Sequence, residues 1–207
     1  MTSLPGDRDP GRRSAEPVVS LELLLDDETD TRVRAEWSAL AEAGFSSLAG
    51  HTAASNRPHI TLLVRGAVAD LPAQVLADAV SLPLPITLGA PVLFGAGDRR
   101  ILARSIIPSE ALLTFHARIH ALARTDGPVT RSHPGGDAPH TRPGEWTPHL
   151  TLARRLRLVD LPRALELLDE LNPDSGSGSG SGAGSGWATT LRRWDAASAT
   201  VTDIFGR

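Results

Sequence analysis

The 207-residue chain has no cysteine, no lysine and no long uninterrupted run of apolar residues. Without cysteine there is no disulfide framework, no thiolate-held zinc and no cysteine nucleophile, which leaves chemistry to histidine and hydroxyl side chains. The absence of lysine excludes a ligase that works through an adenylated lysine. All 21 basic residues are arginine and alanine is abundant, a bias that resembles a GC-rich bacterial genome. Residues 1–17 carry Arg8, Arg12 and Arg13 among Gly, Pro and Asp, with no apolar stretch of the signal-peptide kind, and no later run reaches membrane-spanning length. A soluble, cytoplasmic protein with no membrane partner is therefore expected. A net charge of −3 argues against a broad nucleic-acid-coating surface but leaves room for a small cationic cleft holding one or two phosphates.

Hydrophobic residues make up 41% of the chain, enough for a sizeable core. Apolar periodicity predicts a strand over 18–25, a helix over 29–43 closed by Gly44, a strand over 58–65 and a short helix over 72–80. Strands over 85–94 and 100–107 follow, joined by the turn Gly95-Ala96-Gly97-Asp98, and then a helix over 109–124. A strand over 149–156, a helix opened by Asp160 and Pro162 and running to Leu171, and closing strands over 187–194 and 199–205 complete the pattern. Residues 125–147, rich in Gly, Pro, Arg and His, read as a long loop of the kind that covers a neighbouring strand. Residues 1–17 read as a disordered tail, and 173–186, almost entirely Gly and Ser toward its end, as a flexible insertion. The expectation is one bilobal α+β domain over 18–207, in which two rounds of strands and helices duplicate one arrangement.

One pattern recurs. Pro58-His59-Ile60-Thr61-Leu62 returns as Pro148-His149-Leu150-Thr151-Leu152. Alternate side chains of a strand share a face, so His59 projects beside Thr61 and His149 beside Thr151, while the intervening aliphatics point into a core. Two histidines suffice to cleave a phosphodiester without metal if a neutral one takes the nucleophile's proton and a protonated one supplies the leaving oxygen. The threonine hydroxyls would donate to the nonbridging phosphate oxygens. A lone strand histidine is ordinarily a packing residue, and it is the repetition of five positions that points to chemistry.

Other residues invite weaker readings. Trp146, three residues before His149, is a candidate cleft-rim platform for stacking a base. Strand alternation carries Arg155 to the face of His149, and Arg65 likewise to that of His59, with Arg155 the second rim candidate. His116 and His120 share a helix face, but Ala117 stands where a zinc-peptidase motif has glutamate, so packing is the reading. His133 and His140 lie in the long loop without a third ligand, and no metal site is expected.

The two His-x-Thr motifs, 90 residues apart, resemble those of the 2H phosphoesterase superfamily, most closely its 2′-5′ RNA ligase and RNA 2′,3′-cyclic phosphodiesterase branch. That resemblance implies a bilobal fold of two antiparallel sheets, flanked by helices, facing one another across a cleft to which each contributes one motif. It implies His59 and His149 as catalytic residues and Thr61 and Thr151 as phosphate-binding residues, with His149 activating water and His59 protonating the leaving hydroxyl. RNA ends or cyclic nucleotides would be the substrates, opened to 2′-phosphates without cofactor or metal by a monomer, with ATP-independent 2′-5′ joining as a related activity. The residues leave two alternatives open: a phosphoesterase for a small non-RNA cyclic or ADP-ribose-type phosphate, and a nucleotide-binding module without turnover.

Overall fold

The computed structural model describes residues 18–53, 55–124, 137–172 and 184–206. The first strand, β1 (Val19–Leu25), is apolar except at Ser20 and Glu22, and all seven of its residues are buried. A strand buried on both faces belongs inside a sheet, and β1 indeed lies between β2 (His59–Arg65) and β6 (Ser185–Asp195). The remaining elements are α1 (Asp27–Glu42), α2 (Ala73–Ala79), β3 (Leu84–Phe94), β4 (Arg99–Ile106), α3 (Glu110–Leu122), β5 (His149–Arg157), α4 (Leu161–Leu171) and β7 (Thr200–Gly206).

The fold is α+β, and its seven strands form one antiparallel ladder in the order β2-β1-β6-β3-β4-β5, with β7 also on β6. The two sheets expected from sequence are its two ends, joined through β3. That strand changes partner midway: Leu84–Thr87 pair with β6, whereas Leu88 and Pro91–Phe94 pair with β4. Although β2 and β5 stand at opposite ends of the ladder, they touch. The sheet must therefore curl, and its curling brings together the two strands that carry the repeated motif.

The helices cross between the halves. α1 begins at Asp26, whose carboxylate accepts from the Thr29 amide at 2.9 Å, and buries Val33, Trp37 and Leu40. It packs on α4 and reaches β5, the motif strand of the far half. α3 buries Leu112, Phe115 and Ile119 and packs on β2 and β3. The core is a continuous apolar cluster running through Leu23, Ile60, Leu62, Leu102, Leu112, Leu150 and Leu152.

One loop expectation needs correction. The flexible insertion was expected to reach Gly186, yet β6 begins at Ser185, because Ser185 and Gly186 pair with Thr87 and Ile86 of β3. A Cβ on Gly186 would collide with Thr29 Oγ1, so glycine lets the strand run against the first turn of α1. The described end of the long loop lies along β2, one of the two motif strands. There the Ala138 amide donates to the Val64 carbonyl at 3.0 Å, and a 3₁₀ turn, Pro139–Thr141, lies beside the strand. The cause is that β2 is an edge strand with unpaired backbone groups to satisfy. The tail at 1–17 and the remaining parts of the loop and insertion, 125–136 and 173–183, fall outside the described residues. No helix among the described residues is long and apolar enough to cross a membrane.

Candidate active site

His59 and His149 open β2 and β5, and with Thr61 and Thr151 they are half-buried. His59 stands opposite Leu24 and Thr61 opposite Glu22 on β1, while His149 stands opposite Ser105 and Thr151 opposite Ala103 on β4. Pairing is regular between histidine and threonine in both strands, so each pair shares a face. Immediately afterwards both ladders slip. Thr61 and Leu63 face adjacent residues Glu22 and Leu21, leaving Leu62 extra, and Thr151 and Ala153 face Ala103 and Leu102, leaving Leu152 extra. These are β-bulges at matching motif positions, and both bulged leucines are fully buried.

The imidazoles are oriented alike. His59 Nδ1 lies 2.7 Å from the Arg57 carbonyl, and His149 Nδ1 lies 2.7 Å from the Thr147 carbonyl. A carbonyl only accepts, so each Nδ1 carries a proton and each Nε2 is left for chemistry. Burial depresses the His149 pKa, opposed by its hydrogen bond to Thr147, and the charges of His140 and His59 depress it further. The two motif histidines are thus within electrostatic reach of one another. Neither threonine hydroxyl has a partner among the described residues.

Two tryptophans brace the motif strands across the halves. Trp146, in the segment leading to β5, donates its indole N–H to the Thr61 carbonyl on β2 at 2.9 Å. Trp37 on α1 donates to the Thr151 carbonyl on β5 at 3.0 Å. Each carbonyl belongs to the residue before a bulge on a terminal strand. Next to it, the Leu62 carbonyl accepts from Nε2 of both His116 and His120, at 3.0 Å each. His116 Nε2 also lies 3.0 Å from the Thr141 carbonyl, and its ring stacks on Trp146 at 3.8 Å and 5°. Burial, with the neighbouring charge of His120, holds the His116 pKa down at about 4.

The two motifs differ in their surroundings. Beside His59 lies a buried polar group, with Ser20 donating to Glu22 at 2.6 Å and Arg192 Nε donating to the other Glu22 oxygen at 2.8 Å. Arg192 also donates to the Ser55 carbonyl at 3.0 Å. Burial would raise the Glu22 pKa, but the charges of His59 and Arg192 and the Ser20 hydrogen bond together hold it below the usual carboxylate range. His149 faces the Phe94 ring at 4.6 Å instead.

The weaker candidates fall elsewhere. Trp146 is a half-buried brace, with its N–H committed to Thr61 and one ring face on His116. Arg155 is exposed at the second break in the β4–β5 pairing, with a φ of 61°. The irregularity resets the alternation, and the argument that carried Arg155 to the face of His149 fails there. Arg65 is bound to Asp137 and the Ala123 carbonyl, and Arg57 to Asp30 at 3.2 Å. Among the described residues, no cluster of three or more His, Asp or Glu side chains is placed to hold a metal. Sequence reasoning passed over Glu22 and Arg192, although an acidic residue inside the run VSLELLL was a signal that a buried partner must exist.

A family model described as the 2′-5′ RNA ligase superfamily matches residues 29–178. No curated protein matches the chain. Among solved structures, the chain is similar to Usb1 of Kluyveromyces marxianus, at 14% identity and a TM-score of 0.46, covering 92% of this chain and 98% of that one. It is also similar to the same protein with uridine monophosphate, at 13% identity and a TM-score of 0.45, covering 91% and 98%.

Proposed function

The chain belongs to the 2′-5′ RNA ligase superfamily of 2H phosphoesterases, enzymes of phosphodiester chemistry, and on that premise we propose that it hydrolyses 2′,3′-cyclic phosphates of RNA ends or nucleotides to 2′-phosphates. The observation that carries this reading is the matched orientation of the two histidines: each Nδ1–H is held by the carbonyl two residues earlier, which leaves Nε2 for chemistry on the face that each strand shares with a threonine. In the proposed step the Thr61 and Thr151 hydroxyls hold the nonbridging oxygens. His149, which burial favours in its neutral form, accepts a proton from water through Nε2 as the water oxygen attacks phosphorus. The bond from phosphorus to the ribose 3′ oxygen breaks, and His59 Nε2–H gives that oxygen its proton. His149 ends protonated and His59 neutral, and exchange with solvent restores both. A ribose hydroxyl in place of water would turn the same step into 2′-5′ joining, with the cyclic phosphate as the energy source and no need for ATP.

The test is product analysis with the four nucleoside 2′,3′-cyclic phosphates and a short RNA ending in one, in the presence of a chelator. Conversion to a 2′-phosphate by the wild type, and none by the double variant His59→Ala, His149→Ala, is the expected result. A folded wild type that converts no substrate overturns the reading.

A further inference from the structure

Resting on the reading above, we infer that Glu22, held by Ser20 and Arg192, is a positioning residue that makes His59 the proton donor of the pair. The two histidines differ in what faces Nε2. Each Nδ1–H is satisfied by a carbonyl, but His59 alone has a second acceptor in view, Glu22 Oε1 at 3.7 Å from Nε2. An imidazole with an acceptor at each ring nitrogen is suited to carry two protons, while one with an acceptor only at Nδ1 is suited to carry one. Around His149 the described neighbours are the Phe94 ring and the charges of His140 and His59, and those charges disfavour a second proton. The paired motifs look equivalent in sequence, and their unlike surroundings divide the labour.

The carboxylate is aimed. Ser20 donates to Oε1, the oxygen nearer His59, and Arg192 holds Oε2, so the side chain cannot swing away. Ser20, Glu22 and Leu24 alternate on one face of β1, opposite Thr61 and His59 on one side and Trp194, Arg192 and Thr190 on the other. The guanidinium is the opposing charge at this site. Arg192 Nη2 lies 3.5 Å from His59 Nδ1, the nitrogen whose proton is already committed to Arg57, while the carboxylate faces Nε2, where the transferable proton must sit. Arg57 and Arg34 are turned to Asp30 and take no part. The site thus presents a negative pole to the reacting nitrogen and a positive pole to the spectator nitrogen.

Two variants test this. Glu22→Gln removes the charge but not the shape, and Glu22→Asp keeps the partner of buried Arg192 while drawing the carboxylate back from Nε2. Both are compared with wild type for hydrolysis of a nucleoside 2′,3′-cyclic phosphate across the pH range, with thermal unfolding as the fold control. The expected result is a fall in kcat with KM within about threefold. The alkaline limb of the rate profile should move to lower pH in Glu22→Gln, because the carboxylate charge facing Nε2 is gone. A purely structural role would lower stability and leave that limb in place. Either variant, folded and with the wild-type profile and kcat, overturns the inference, and Glu22→Asp decides alone if Glu22→Gln does not fold. Should the wild type convert no cyclic phosphate, the parent reading fails. The ¹⁵N shifts of the His59 ring across the pH range, wild type against Glu22→Asp and Glu22→Gln, then decide the role of Glu22 without a substrate.

Discussion

Replacing Trp146 by phenylalanine removes one hydrogen bond and leaves most of one ring contact. The indole N–H that reaches the Thr61 carbonyl at 2.9 Å is lost, while a phenyl ring can still lie on His116. Thr61 sits on a terminal strand, before a bulge, where no neighbouring strand replaces the missing donor. A part-buried acceptor left without its partner costs about 1–2 kcal/mol. In a chain of this size that corresponds to a fall in Tm of roughly 2–8 °C. The same change at Trp37, which holds the Thr151 carbonyl from the other side, should cost a similar amount. Because the braces hold the two motif strands against opposite halves, each loss should also loosen the placement of the histidines. A displacement of the order of 1 Å costs roughly 10²-fold in rate, and a partial loosening should lower kcat by about 10-fold. Urea unfolding and steady-state kinetics on Trp37→Phe, Trp146→Phe and the double variant provide the measurement. Single variants within about 0.5 kcal/mol of wild type, the spread of ordinary surface substitutions, would refute the bracing argument. So would normal kcat in proteins that are clearly destabilised.

Three further outcomes follow from the same structure. His116 is buried and held neutral with its pKa at about 4, below the ordinary value of 6.5. Its unfolded form binds the extra proton first, so its contribution is complete above about pH 6.5 and is lost as pH falls toward 4. That loss is about 3 kcal/mol, and acid unfolding of His116→Gln should lack this component while wild type shows it. The depressed pKa of His149 places the acidic limb of the wild-type rate profile below the ordinary histidine value, since the base must be neutral. His149→Ala should abolish that limb and reduce turnover by at least ~10², and a limb unchanged in that variant would remove His149 from the base role. Arg155 holds a left-handed φ of 61° that glycine adopts freely. Arg155→Gly should stabilise by about 0.5–1 kcal/mol in urea unfolding, and a loss of stability would mean that its side chain has a packing role.

Nearly every element was legible in the sequence, because apolar spacing and turn residues agree along the chain. Val19–Leu25, Leu84–Phe94 and Glu110–Leu122 fall within two residues of the expected spans. The start of β6 at Ser185 was not legible, since glycine and serine carry no strand signal and the pairing there is imposed by β3. The motif pair was legible because repetition of five positions is a strong local signal. The bulges at Leu62 and Leu152 were not: alternation is a rule of regular strands, and an extra residue is visible only once the partner strand is known. The bulge at Leu62 undoes the alternation argument for Arg65, and the bulge at Leu152 with the second break beside Arg155 undoes it for Arg155. Trp37 is buried on α1, and an indole N–H in a core requires an acceptor, but only the fold reveals that the acceptor is Thr151. The network of Ser20, Glu22 and Arg192 joins residues 170 apart and lay beyond any local pattern.

The seating of β6 between β1 and β3 carries a consequence for synthesis. As the chain leaves the ribosome, β1 and β2 emerge early and can pair as a two-stranded ribbon, a unit too small to be stable in water. The flank of β1 that will receive Leu191 and Arg192 stays open until some 130 further residues after β2 have been made. His59 is then present without Arg192 and with Glu22 unneutralised. Strands from far along the chain thus complete the sheet around β1, and the ion pair of Glu22 with Arg192 cannot form before β6 has been made.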